Sequence, residues 1–428
     1  MKDSLARQLS CAVENKRDRL FEIVRDLVRI PSENTPPRGA EAACQQYVAD
    51  FCRARGFETE LYEPDSVRGI REHALYFAGR DYSGRPNLAA RKAGSGGGRS
   101  LLLSGHIDTV PRGTQNWTRD PFGGAIEGGR LYGRGSNDMK AGVATNLFVA
   151  ELVQQTGLRL QGDLILETVV DEEFGGANGT LAGRLKGIRA DAAIVSEPTS
   201  LRVCRAQRGG RTAHITLRSP GGILGGGPAD GIVRQLACLL EGVQRFAAQR
   251  RAAVRVHEAY AGCADPVPAW VTKIVTAPWG TAEPQTLSDE CRVEFYWQAM
   301  PGEDLEAIDR EFYAWLDSVV ASAPELFEGR PQVEFPFRWL PGSAIGPTEP
   351  LVTELQRSAA EAMGEPVPVA GIEGPCDMFL FHTFGIPAVL WGVKGGNTHA
   401  ADEYVELDSV VSAAKALAYF VCEWCGAE

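Results

Sequence analysis

The sequence predicts an α/β protein: an open, mostly parallel sheet covered by helices, with a smaller α+β unit inserted into it. Three observations carry this expectation. Short apolar runs rich in β-branched residues alternate with helically periodic segments over the first two hundred residues, the pattern of a sheet covered on its faces. Between about 208 and 339 the order becomes strand, helix, strand, strand, helix, strand, that of a small ferredoxin-like sandwich. After "PGSAIGPTEP" the first pattern returns. The expected organisation is a parent domain made of residues 1–207 and 340–428, interrupted by an inserted domain at 208–339.

Taken in order, apolar residues at helical spacing in "RDRLFEIVRDLVRI" predict a helix from Arg17 to Ile30, stopped by the prolines of "PSENTPPRG". A second helix, from about Ala40 to Ala54, leads into the strand "FETELYEP". Strands follow at "NLAARKAG", "SLLLSGHIDTV", "GDLILETVVD" and "ADAAIVSE", with helices after Met139 and after Asn178. The run "GSGGGR" at 94–99 reads as a loose hairpin tip. In the inserted unit, "RTAHITLRS", "GIVRQLACLLEGVQRFAAQRR", "WVTKIVT", "CRVEFYWQAM", "EDLEAIDREFYAWLDSVV" and "QVEFPFRW" supply the six elements. A helix from Leu351, the strand "PAVLWG" and a helix from about Ser409 close the chain.

Composition narrows the partners. A chain of 428 residues, 44% apolar, has ample material for two cores. Its formal charge of −11 argues against a nucleic-acid or anionic-membrane partner and leaves small molecules. The N-terminus is charged throughout, without the apolar stretch of a secretory signal, and no window is long and apolar enough for a membrane span; a cytoplasmic location is expected. Ten cysteines are mostly scattered, and the C-x-x-C of Cys422 and Cys425 reads as a helix face rather than a zinc or redox site.

Ligands collect beyond the carboxyl ends of strands in an open α/β sheet, and ionisable residues stand at several such ends. "LLLSGHIDTVP" finishes in His106-x-Asp108, a metal ligand with a carboxylate near it, or equally a buried histidine satisfied by an aspartate. "GRGSNDMKAG" places Asp138 just before a helix, where an N-cap is the simpler reading. "LILETVVDEEFGG" ends in Asp171, Glu172 and Glu173, three carboxylates that want a cation or stand as a solvated turn. "AAIVSEPTS" ends at Glu197, and "GGNTHAADEYVEL" presents His399 before the last helix. Together these residues suit one or two divalent ions such as zinc, manganese or cobalt, bridged by a carboxylate.

The same motifs resemble those of the metallopeptidase and deacylase family that includes acetylornithine deacetylase, succinyl-diaminopimelate desuccinylase, aminoacylase and glutamate carboxypeptidase. The resemblance covers nearly the whole chain. It implies a catalytic domain interrupted by a lid that mediates homo-oligomers. It makes His106 a metal ligand, Asp108 its orienting partner, Asp138 a bridge followed by a cis peptide bond, Glu172 the general acid and base, and Glu173, Glu197 and His399 the remaining ligands. The implied reaction is hydrolysis of a C–N bond in a small carboxylated substrate by a metal-activated water, deacylase-like in kind.

The lid departs from the family pattern. In "SPGGILGGGPADG" the position of the family's oxyanion-stabilising histidine holds Ile223, its asparagine falls at Gln285 and its arginine at Gln298. An apolar side chain cannot donate to an oxyanion. Two alternatives follow: hydrolysis of an aromatic amine of the 5-nitroanthranilate type, in which charge spreads into the ring, or an inactive metal-binding scaffold. Arg205, Arg208 and Arg211 cluster at the start of the lid, and Arg211 is the preferred replacement for the carboxylate clamp.

Overall fold

The computed structural model describes residues 2–175, 178–219, 222–223, 231–276 and 286–428. The chain divides into two compact units. One comprises the residues up to Ala206 with Ala344–Ile372 and Cys376–Glu428, and the other Gln207–Ser343 with Glu373–Pro375.

The sheet of the first unit runs, in spatial order, Val203–Gln207, Ala388–Leu390, Ala192–Val195, Leu101–His106, Leu164–Val169, Asn87–Lys92 and Glu58–Tyr62, with Val369–Ile372 pairing beside the first. Its four central strands are parallel, and antiparallel pairs flank them. Alternation along the central strands explains why they read as continuous apolar runs. Leu101, Leu103, Leu164, Leu166, Ala192 and Ile194 face one core, whereas Leu102, Ile165, Ala193 and Val195 face the other. The helix Ala141–Gln155 is buried from Ala141 to Val153, and Leu407–Cys425 packs beside it in the larger core. An apolar strand sequence is therefore the signature of a sheet with no wet face.

The second unit forms a four-stranded antiparallel sheet in the order Ala269–Val275, Glu290–Ala299, Gly209–Arg218 and Gln332–Glu334, with the helices Gly231–Ala253 and Leu305–Ser322. The chain order of these elements and their spatial order are those of the ferredoxin-like sandwich. Phe246, Phe295, Trp297, Phe312 and Trp315 pack at its centre, with the Trp297 and Phe312 rings stacked nearly parallel at 4.9 Å and Phe246 edge-on to Trp297.

Two local readings of the sequence meet the structure differently. Cys422 and Cys425 are buried on the last helix, and burial pushes each thiol up to about 12, as a plain helix face requires. The glycine run at 94–99 is not a hairpin tip, because Leu164–Val169 lies between the strands it joins. Gly94 and Gly98 instead press on the backbone of Gln161, Gly162 and Cys425, leaving no room for a side chain. No helix among the described residues is long and apolar enough to cross a membrane.

A Cβ on Gly98 would overlap the carbonyl oxygen of Cys425. Gly98→Ala is expected to lower stability by about 1–3 kcal/mol through overpacking, read from the urea midpoint; an unchanged midpoint contradicts the close packing.

Candidate metal centre

Strand register brings the site together. His106 lies level with Val169, and Ser104 with both Glu167 and Val195, so the segments after these three parallel strands emerge side by side. They carry His106 and Asp108, then Asp171 to Glu173, then Glu197. Asp138 comes from the tight turn Ser136–Lys140, where its own backbone is extended (φ −119°, ψ 97°) and the bond to Met139 is cis. It is not the N-cap of the following helix, which begins at Ala141. His399 stands in the loop between Gly396 and Tyr404.

Asp138 occupies the middle. Its Oδ1 lies 3.1 Å from His106 Nε2, and its Oδ2 lies 3.4 Å from His399 Nε2. Glu197 Oε1 and Glu172 Oε2 stand 3.8 and 3.9 Å from His106 Nε2, while Glu173 Oε2 is 2.9 Å from His399 Nε2. Cations bound at about 2.0–2.2 Å need donors roughly 3–4 Å apart, and the distances from each imidazole nitrogen to its carboxylates are of that order. His106, Asp138 and Glu173 offer atoms all within 4.8 Å of one another, as do His106, Glu172 and Glu197.

The charges reinforce one another. Burial opposes the charged ring of His106, yet its hydrogen bond with Asp138 and the fields of Glu197 and Glu172 outweigh burial and hold its pKa well above the usual value. Burial likewise works against the His399 cation, but Asp138 and Glu173 bring its pKa up to about 11. The Asp138 carboxyl, although buried, is held below the carboxylate range by both rings. Glu172, Glu173 and Glu197 are pushed up, first by burial and then by neighbouring carboxylates.

The orientation of His106 differs from expectation. Nδ1 lies 2.9 Å from the main-chain carbonyl oxygen of Asp108, whereas its carboxylate is 3.7 Å away. The carbonyl fixes the tautomer that leaves Nε2 for a cation. The Asp108 carboxylate instead accepts the backbone N–H groups of Glu172 and Glu173, both at 3.2 Å, so it positions the acidic segment. Asp171, with φ 65°, is also turned away from the centre: Tyr82 donates to it at 2.6 Å and Asn34 at 3.0 Å, and Arg80 lies at 3.3 Å.

Asn34 was not singled out by the sequence, yet its Nδ2 donates to both Asp108 and Asp171, while its Oδ1 accepts from Arg85, itself paired with Glu41. The "SENTPP" context offers no cue beyond a break in helical periodicity.

The arginine expectation is overturned by pairing. Arg211 is buried, its Nε and Nη2 donating to Asp309 at 3.0 and 2.8 Å, with Phe335 beneath the guanidinium. It shares strand parity with Ala213, Ile215 and Leu217 of the core, so its side chain is drawn inward. Arg208 donates to Gln298 at 2.8 Å, and Arg205 to the carbonyl of Ile345 at 2.6 Å. His214 faces its cross-strand partner Glu294 at 3.0 Å. The side chain of Ile223, Gln285 and the glycine-rich run at 224–230 lie outside the described residues.

The family model described as Peptidase family M20/M25/M40 matches residues 102–423. The chain is 28% identical over 446 aligned positions to N-formyl-4-amino-5-aminomethyl-2-methylpyrimidine deformylase of Halalkalibacterium halodurans, covering 99% of this chain and 98% of the relative. It is 36% identical to succinyl-diaminopimelate desuccinylase of Methylobacterium radiotolerans over 43% of each chain. Among solved structures it superposes on the di-peptidase Dug1p of Saccharomyces cerevisiae with a TM-score of 0.76 at 15% identity, covering 99% of both chains.

A cation must take the place of protons on these raised groups, so its affinity should rise with pH towards the His399 pKa of about 11. Calorimetric titration with zinc or manganese in buffers of different ionisation enthalpy is expected to show proton release and weaker binding on acidification. Binding that is independent of pH and releases no proton would contradict this centre.

Proposed function

From the premise that the chain belongs to peptidase family M20/M25/M40 and is a metal-dependent hydrolase of C–N bonds, we propose that it cleaves the acyl C–N bond of a small N-acylated substrate. The observation that carries the reading is the division of Asp138 between two imidazoles, with Glu197 on one side, Glu173 on the other and Glu172 beside them. His106, Asp138 and Glu197 would hold one divalent ion, and Asp138, Glu173 and His399 a second. Zinc, manganese and cobalt suit this mixture of imidazole and carboxylate. When bound, such ions polarise a carbonyl and bring the pKa of a water towards about 7.

The protein's own part is proton traffic and orientation. Glu172 stands as near His106 as Glu197 does, but its place in "DEEFGG" matches the family's general base, and it is largely buried with its carboxyl pushed up in pKa. That environment favours taking a proton from water and returning it to the departing nitrogen, whose release completes hydrolysis. Asp108 holds Glu172 through its main-chain N–H, so the base is positioned by the strand that also carries His106. The full-length deformylase relative, with its small formyl group on an aminomethylpyrimidine, supports an N-acyl amine over a long peptide.

One feature favours a second reading, removal of an amino group from an electron-poor aromatic ring such as 5-nitroanthranilate. The lid position aligned with an oxyanion-stabilising histidine holds Ile223, and His214 is engaged with Glu294. Charge delocalised into a ring needs no such donor. A homo-oligomer contact through the second unit is supported by its edge strand Ala269–Val275, which exposes Trp270, Ile274 and Val275.

Glu172→Gln should keep cation binding and lose turnover by about 10²- to 10⁴-fold. The assay is amine release by the zinc- or manganese-loaded protein from N-formyl and N-acyl amines, N-acyl amino acids, dipeptides and substituted anthranilates. Turnover of anthranilates alone would replace the first reading by the second. Cation binding without turnover of any substrate would leave a scaffold.

A further inference from the structure

Glu403 lies four residues after His399 and is 1% exposed. A carboxylate so deeply buried is costly unless its oxygens are hydrogen-bonded. Here they are saturated. Oε1 accepts the backbone N–H groups of Asn137 at 3.0 Å and Asp138 at 3.1 Å, and Oε2 accepts the N–H of Gly135 at 3.0 Å and Nη1 of Arg134 at 2.6 Å. Its carbonyl also accepts from Gly133 at 2.9 Å. One side chain thus gathers the backbone amides on which Asp138 is mounted.

The same segment is pinned elsewhere. Asn137 donates to Thr398 at 2.8 Å, Ala401 donates to Gln115 at 2.7 Å, and Thr118 donates to Asp402 through its N–H and hydroxyl. Between these contacts His399 has φ 62° and Asp402 φ 55°, a left-handed backbone that non-glycine residues hold only when their surroundings impose it. The network ties the turn that carries Asp138 to the loop that carries His399.

We infer that Glu403 is a positioning residue of the metal centre, locking the Asp138 turn to the His399 loop so that the two ligands are presented as one preformed unit. The inference rests on the reading of Asp138 and His399 as ligands. Glu403 does not touch the ions; it acts through the backbone of Asp138 and through the loop it shares with His399. Glutamine at this position would turn an N–H donor towards donors on one edge, whereas aspartate keeps the charge but withdraws it by one methylene.

The test is cobalt(II) binding to the metal-stripped full-length protein, with affinity from chelator competition and coordination from the visible spectrum. Glu403→Gln should retain the far-ultraviolet circular dichroism of the wild type, bind cobalt about 10- to 100-fold more weakly and show altered visible bands. Glu403→Asp should recover part of the affinity. Wild-type affinity and spectrum in a folded Glu403→Gln overturn the inference. If that variant does not fold, Glu403→Asp decides, and wild-type behaviour there overturns it. Should the wild type bind no cobalt, or Asp138→Ala leave uptake unchanged, the metal-centre reading itself falls.

Discussion

Carboxylates and imidazoles packed 2.9–3.9 Å from one another in a largely buried cluster must be neutralised by protons or by cations, and the arrangement around Asp138 follows from that constraint. Unit charges about 4 Å apart interact by roughly 4 kcal/mol at an effective dielectric of 20, comparable to a large share of a protein's net stability. Without cations, His106 and His399 hold protons and the acidic neighbours are pushed towards their neutral forms. Divalent ions satisfy the same side chains with more charge and fewer particles. The metal-free state is therefore one in which protons occupy the place of the cofactor.

Such a cluster keeps its shape because the groups behind it are also paired. Asp108 and Asp171 would repel each other, yet Asn34 donates to both and Arg80 lies beside Asp171. Asp108 spends its oxygens on the amides of Glu172 and Glu173 rather than on the His106 ring, so one carboxylate holds the backbone of both acidic residues. The Nδ1 edge of the ring is left to a main-chain carbonyl, which cannot titrate. Orientation of His106 is thereby separated from the charge state of the acidic segment.

Much of this was legible in the sequence wherever a side chain's role follows from strand periodicity. Apolar runs leading to His106, to Asp171–Glu173 and to Glu197 announced parallel strands with ionisable side chains beyond their carboxyl ends, and register then made the ends level. Periodicity also held the answer for Arg211, whose parity with Ala213 and Ile215 placed it under a helix; its charge drew the reading outward instead. Asn34 and Glu403 were illegible for a different reason. Their partners include backbone N–H groups and side chains remote in sequence, and such contacts leave no pattern of residue types. The glycines at 94–99 carried the same ambiguity, since a residue without a side chain serves a loose turn or a tight contact equally well.

The family match begins at Leu102, inside the strand that ends at His106, yet the acidic segment depends on residues before that point. Asn34 lies in the short strand Asn34–Thr35, Arg80, Tyr82 and Arg85 in irregular backbone, and they supply the donors around Asp171. Without them Asp171 would keep a left-handed backbone and a buried charge without those partners, and Asp108 would lose the amide it shares with Asp171. A buried acceptor stripped of its donors costs more than the hydrogen bonds were worth. These four residues are thus part of the cluster in the energetic sense although none of them belongs to the groups His106, Asp138 and Glu173 or His106, Glu172 and Glu197. Ligands are fixed by the chemistry of the ions, whereas supporting groups need only satisfy charge and hydrogen bonding, which many sequences can do. That difference in freedom explains why ligand motifs are recognised by their residues while their supports emerge only from the fold.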